Sequence, residues 1–150
     1  MASSVGAAPS AAAGAVPPPV PLGSYVRLGG FSVSVGRYEW SSACPTTGGQ
    51  APPNTKFVAV HVTARNDASA ALSLPLVEWT VGGHLPTSSA SCRPEGQPLA
   101  EACPRVLTPD ARCDGWLLFE VPAAMEVPGT VVQARSAGGV PHVARWRLPS

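Results

Sequence analysis

The chain is poor in charge and almost without lysine. Charged residues make up 13% of its 150 residues, the formal net charge is +1, and Lys56 is the single lysine among ten basic side chains. The arginines are scattered from Arg27 to Arg147 and form no run. That balance gives no electrostatic basis for nucleic acid or an anionic membrane surface as a partner. No apolar run reaches the roughly 18 residues of a membrane-spanning helix, so no direct membrane span is expected. The signatures of common chemistry are missing too. There is no Cys-x-x-Cys pair, and the cysteines do not have zinc-site spacing. There is no Gly-x-Ser-x-Gly elbow. The Gly-Gly pairs that begin at 29, 48, 82 and 138 lie between strand patterns and read as turns, not as a phosphate loop. His61, His84 and His142 stand at ligand spacing neither from one another nor from an acidic residue. The expectation is therefore no enzyme, no catalytic or metal-binding residue and no cofactor.

Proline and glycine, by contrast, are abundant, with 18 and 15 copies. They cluster, so part of the chain is expected to lie outside a packed core. Residues 1–23 are low-complexity Ala/Pro/Ser/Gly ending in Pro17-Pro18-Pro19-Val20-Pro21. This stretch predicts a disordered or extended Pro/Ala-rich N-terminal arm, with the domain at 24–150. An arm with so few large apolar side chains is expected to add nothing to the stability of the isolated domain. In extended form it could reach on the order of 70 Å, enough to lie along a neighbouring subunit, with Pro17, Pro18 and Pro19 as candidate contacts.

From Ser24 onward the pattern has period two. Phe31, Val33 and Val35 alternate with Ser32 and Ser34, which are expected outward. Residues 57–65 put Val58, Val60, Val62 and Ala64 on one face and Phe57, Ala59, His61, Thr63 and Arg65 on the other. Residues 113–121 put Leu117, Phe119 and Val121 on one face and Trp116, Leu118 and Glu120 on the other. Asp114-Gly115 marks the entry to this central strand and Pro122 stops it, having no N–H for a ladder. Further strands are expected at 25–28, 72–74, 77–81, 130–135 and 143–148, with a Gly82-Gly83 hairpin into 84–88 and a long proline-rich loop over 89–112. Several short strands with turn signals about every ten residues predict an all-β antiparallel sandwich. Its expected core is Val58, Val60, Val62, Leu117, Phe119, Val121 and Trp146.

Cys44, Cys92, Cys103 and Cys113 all lie near proline, glycine or turn residues. Their even number and loop placement predict two disulfides, hence an oxidising compartment. Of the three possible pairings, Cys92–Cys103 is the most local, which leaves Cys44–Cys113 to staple the 41–55 loop to the central strand. Met1 to Pro21 has no charged residue and a poor apolar segment, so it does not read as a signal peptide. Two routes to an oxidising setting follow: a leader replaced by the initiator methionine, or another exit such as assembly on a virion.

Two blocks carry a family resemblance. Phe57-Val-Ala-Val-His-Val-Thr-Ala-Arg-Asn66 and Gly115-Trp-Leu-Leu-Phe-Glu-Val-Pro122, with Leu107-Thr-Pro109 just upstream, resemble the DUF4352 / MPT63-like immunoglobulin-like β-sandwich family, over about residues 31–148. The resemblance implies an immunoglobulin-like sandwich that bacteria export as a secreted protein or lipoprotein domain. It implies no general enzymatic activity and no universal binding residues. The chain departs from the family pattern in its four cysteines, its long proline-rich loop and the absence of a lipobox.

Two functional classes follow. The first is an extracellular or cell-surface binding or adhesion module. The second is a structural subunit on a virion or surface layer that uses its arm to contact neighbours, as an oligomer. Trp116 and Leu118, on the face opposite the expected core, are the candidate contacts for a protein partner.

Overall fold

The computed structural model describes residues 16–44, 46–73, 77–86, 92, 96–136 and 142–149. In chain order the elements are β1 (Val20–Pro21), β2 (Tyr25–Leu28), β3 (Phe31–Ser41), β4 (Thr55–Asn66), β5 (Leu72–Ser73), β6 (Val77–Val81), the short helix α1 (Leu99–Ala102), β7 (Val106–Leu107), β8 (Arg112–Pro122), β9 (Val131–Ser136) and β10 (Val143–Arg147). One sheet has the order β2-β3-β4-β8 and the other β1-β10-β9-β6, with β5 and β7 forming a small ribbon. Every pairing is antiparallel except β1 with β10. The expected all-β antiparallel sandwich is the fold.

The core follows from the alternation. β4 and β8 pair in register, with Val58 opposite Phe119, Val60 opposite Leu117 and Val62 opposite Gly115. Val58, Val60, Val62, Phe119 and Trp146 are fully buried, and Val121 nearly so. Trp79 of β6 stacks on Trp146 of β10 with ring centroids 6.0 Å apart. The Trp146 indole N–H is satisfied by the Ser24 carbonyl at 2.8 Å, as a buried donor must be. Leu117 is the exception among the expected core residues: it is only half-buried, because it borders a cavity between the sheets.

Asn66 anchors the far end of β4. It is fully buried. Its amide donates to the carbonyls of Ala70 and Leu107, and its side-chain oxygen accepts from Ala68 N. The small polar turn read after this strand is thus held by one buried side chain with its donors and acceptor satisfied.

Four readings need correction. Ser32 and Ser34 are buried, not exposed. Tyr25 on β2 and Arg65 on β4 reach across β3 until the guanidinium lies 4.9 Å from the phenol ring. They roof over the small serines between them. Beneath this roof the Ser32 hydroxyl donates to Asp67, and Arg65 Nε donates to Asp67 Oδ1 at 2.7 Å. Burial pushes the Asp67 carboxyl up, but the bonds from Ser32 and Arg65 outweigh it and hold the group below its ordinary value. The same Asp67 bond raises the Arg65 guanidinium against the opposing effect of burial.

The N-terminal arm ends earlier than expected. Residues 1–15 lie outside the described residues, but Val20 and Pro21 form β1 and pair with Trp146 and Arg147. Val20 and Leu22 pack on the core, and Arg145 Nη1 donates to the Pro17 carbonyl. A proline-rich strand suits this position, because only an edge tolerates its missing N–H groups. These contacts argue against the expectation that residues 1–23 add nothing to stability. A chain starting at Gly23 is expected to lose about 2 kcal/mol from the uncovered apolar surface, or about 4–8 °C of melting temperature. Calorimetry that finds the truncated and full chains equally stable contradicts the docking of β1.

The disulfides also pair differently. The bonds are Cys44–Cys92 and Cys103–Cys113, not Cys92–Cys103 and Cys44–Cys113. The reason lies in β8. Cys113 shares the inner face with Phe119 and joins the main core, whereas Cys44 and Cys92 pack on the outer face with Phe57, Ala59 and Leu118. A Cys44–Cys113 bond would have to pass through the sheet, since successive side chains point to opposite faces.

The 89–112 stretch is not a plain loop either. It contains α1 and β7, and its described part runs along the edge of β8. The Gly82-Gly83 hairpin does form, with φ of 55° and 86° and a bridge between Val81 and His84. Such φ values suit glycine in a tight hairpin turn. Thr87 and Ser88, read as part of its second strand, lie outside the described residues.

Candidate functional site

β8 is the outermost strand of its sheet, and its free edge is closed by the segment that precedes it. Pro86 bridges to Phe119, and Pro98 bridges to Trp116. Trp116 N donates to the Gln97 carbonyl at 2.9 Å. Covering an edge in this way denies it to stray strands. The two disulfides fasten the wrap from both sides. Cys44–Cys92 lies over the outer face, and Cys103–Cys113 ties the end of α1 to the inner face.

Two glycines make the close approach possible. A Cβ on Gly115 would stand 2.6 Å from the Leu99 Cα and 2.8 Å from its N. A Cβ on Gly96 would stand 2.4 Å from the Trp116 ring. Both contacts are closer than packed atoms allow, so only glycine fits where the loop meets the strand. Gly115 was read as a turn signal, but it marks this crossing. The Gly115 and Gly96 pair, flanked by cysteines, was the available signal for the clasp.

The expected partner residues separate under this cover. Leu118 is only 5% exposed, lying beneath the Cys44–Cys92 bond with Phe57 and Ala59, so it is core and not contact surface. Trp116 is half-buried and remains in reach of solvent. Pro17, Pro18 and Pro19 lead into β1, which pairs with the domain's own β10, and Pro17 is held by Arg145.

Around Trp116 the outer face carries a row that the sequence reading did not assemble. Arg37, His61 and Trp116 are cross-strand neighbours on β3, β4 and β8. The Arg37 guanidinium lies 5.2 Å from the Trp116 ring centroid, and the His61 ring meets Trp116 edge-on at 5.0 Å. His61 Nε2–H donates to Asp114 Oδ2 at 2.9 Å. The indole is thus held on three sides, by Gly96, His61 and Arg37. The partners were legible only once the strand register was known, because they are distant in the chain.

On the other side of the sheet, a cavity of about 610 Å³ opens between the two sheets where α1 approaches. Phe31, Val33, Trp79, Leu99 and Leu117 supply apolar walls, and Arg105 stands among the lining residues as its charged group. That lining can hold an apolar group. Among the described residues no cluster of three or more His, Cys, Asp or Glu is placed to hold a metal ion, and no helix is long and apolar enough to cross a membrane.

Comparison with known proteins bears on the fold. No family model matches the chain, and no curated protein does. Three solved structures are similar. An uncharacterized β-sandwich protein from Clostridium difficile 630 shares 11% identity over 93% of this chain and 94% of its own, with a TM-score of 0.45. A candidate lipoprotein from Bacillus subtilis subsp. subtilis strain 168 shares 12% identity with a TM-score of 0.50, over 79% of this chain. That match spans only 36% of the Bacillus protein's length. A functionally unknown protein from Listeria monocytogenes EGD-e shares 8% identity over 83% of this chain and 80% of its own, with a TM-score of 0.47. The chain is a β-sandwich protein, and at these identities the likeness concerns fold alone.

Proposed function

We propose that this chain is a non-enzymatic binding module of the DUF4352 kind, working outside the cell or on its surface and contacting a protein partner through the Arg37–His61–Trp116 row. The observation that carries the reading is the state of Trp116: partly open to solvent, yet packed against a cation, an aromatic edge and a glycine-lined loop. Tryptophan and arginine are the side chains most often found where binding energy concentrates, and a preorganised ring loses little freedom on docking. Two disulfides among four cysteines support an oxidising location. The likeness to a candidate lipoprotein is consistent with a surface address.

The alternative, a structural subunit reaching its neighbour through a free arm, has less support, because the last residues of the arm pair within the domain itself.

The experiment has two arms. Thiol alkylation before and after reduction, on protein taken from surface and secreted fractions, is expected to find all four cysteines blocked; free thiols in protein from the cell interior would refute the location. Immobilised wild type and Trp116→Ala are then compared for capture from a cell-surface extract. The variant is expected to lose about tenfold or more in affinity, since such anchors contribute about 2 kcal/mol or more, at a melting temperature close to wild type. Equal capture by both removes Trp116 from the contact.

A further inference from the structure

β3 outruns its neighbour. β2 covers only Phe31 to Ser34, and the last backbone bond on that flank runs from Gly23 N to Val35 O at 2.7 Å. From Arg37 to Ser41 the strand pairs with β4 on one side and with nothing among the described residues on the other. An open edge of this kind offers unpaired backbone groups to a further strand. Arg37, Glu39 and Trp40 on it are exposed, Trp40 by 52%. Glu39 has no ion-pair partner among the described residues.

We infer that a second copy of this chain docks on this edge, β3 against β3, antiparallel about a two-fold axis at Tyr38. Symmetry and charge select that register. A two-fold axis that relates antiparallel strands stands perpendicular to the sheet, so residues opposite each other share a face. Three registers bring the centre of the stretch together. One sets Arg37 opposite its own copy, and another sets Glu39 opposite its own copy; like charges in that position are destabilising. The register centred on Tyr38 sets Arg37 of each copy opposite Glu39 of the other. It also sets Trp40 opposite Gly36, which has no side chain to crowd the indole. Arg37 must leave Trp116 to reach the carboxylate, but a cation–π contact at an exposed site is weak. The pairing joins two four-stranded sheets into one and buries less than a standard interface, so the dimer is weak and concentration-dependent.

The same features have a rival meaning. The register irregularity between Val35 and Arg37 and the charges that follow are also ways of keeping an edge strand single. Charge variants separate the two. Sedimentation velocity on the full chain, from about 10 µM to about 1 mM, is expected to show a monomer–dimer equilibrium. Arg37→Glu and Glu39→Arg, each alone, place like charges opposite and are expected to weaken association by about tenfold or more. An equimolar mixture of the two variants restores both attractive pairs and is expected to dimerise as well as wild type. The double variant Arg37→Glu/Glu39→Arg is expected to do the same. Melting temperatures of the variants establish that the fold is intact. A wild type that stays monomeric throughout overturns the inference, and so does a dimer indifferent to these charges. Loss of partner capture by Trp116→Ala leaves this result untouched, so the two proposals fail separately.

Discussion

Replacing Phe119 by alanine is expected to destabilise the domain by about 3–5 kcal/mol, the usual range for removing a fully buried phenylalanine. Phe119 has no exposed surface, stands beside Val58 of β4 and lies in the C-terminal half of β8, with Pro86 closing the edge beside it. Its neighbours cannot collapse easily into the space. β4 is bound on both flanks, by β3 and β8, and Trp146 on the opposite sheet is already stacked on Trp79. The lost burial and the residual cavity therefore act together. Domains of this size have about 5–15 kcal/mol in total, so the variant is left with a small margin. Urea titration should move the midpoint down strongly at nearly constant slope. Phe119→Leu, which keeps most of the volume, is expected to recover most of the loss. A midpoint unchanged in Phe119→Ala would mean that β8 presents its other face to the core.

How far this fold is written in the sequence can be judged residue by residue. Val58, Val60, Val62 and Phe119 were legible because strand alternation depends only on local spacing, and both long strands carry it without interruption. Ser32 and Ser34 misled for a physical reason. Their strand alternates correctly, but a tyrosine and an arginine from the strands on either side close over them, and nothing local in the sequence encodes a contact between β2 and β4. β1 was hidden because all six residues at 16–21 are proline or valine and low complexity precedes them. The polyproline preference and an edge strand look alike at that level. The candidate site divides in the same way. Trp116 was visible as an aromatic on the wrong face for the core, whereas Arg37 and His61 join it only through register. Leu118 was misjudged because the loop that buries it returns from a distant part of the chain.

The disulfide pairing was within reach. Cys113 has the parity of Phe119, which places it on the inner face, so it can bond only to a cysteine that arrives there; the loop that carries Cys44 covers the outer face instead. The observed pairing has a measurable consequence. Cys44–Cys92 spans 48 residues and Cys103–Cys113 spans 10. In the chain-entropy account, the longer loop constrains the unfolded chain more. Removing Cys44–Cys92 is expected to cost about 4 kcal/mol, and removing Cys103–Cys113 about 3 kcal/mol. The outer bond has a further task, because it holds the cover over Phe57, Ala59 and Leu118. A Cys44→Ala/Cys92→Ala variant is therefore expected to melt well below wild type and to expose that apolar patch to a hydrophobic dye. Cys103→Ala/Cys113→Ala is expected to lose less stability and to leave the outer patch covered. Peptide mapping without reduction should recover Cys44 joined to Cys92 in the intact protein. The opposite order of stabilities, or dye binding by the inner-bond variant alone, would show that the clasp on the outer face is not what keeps the β8 edge closed.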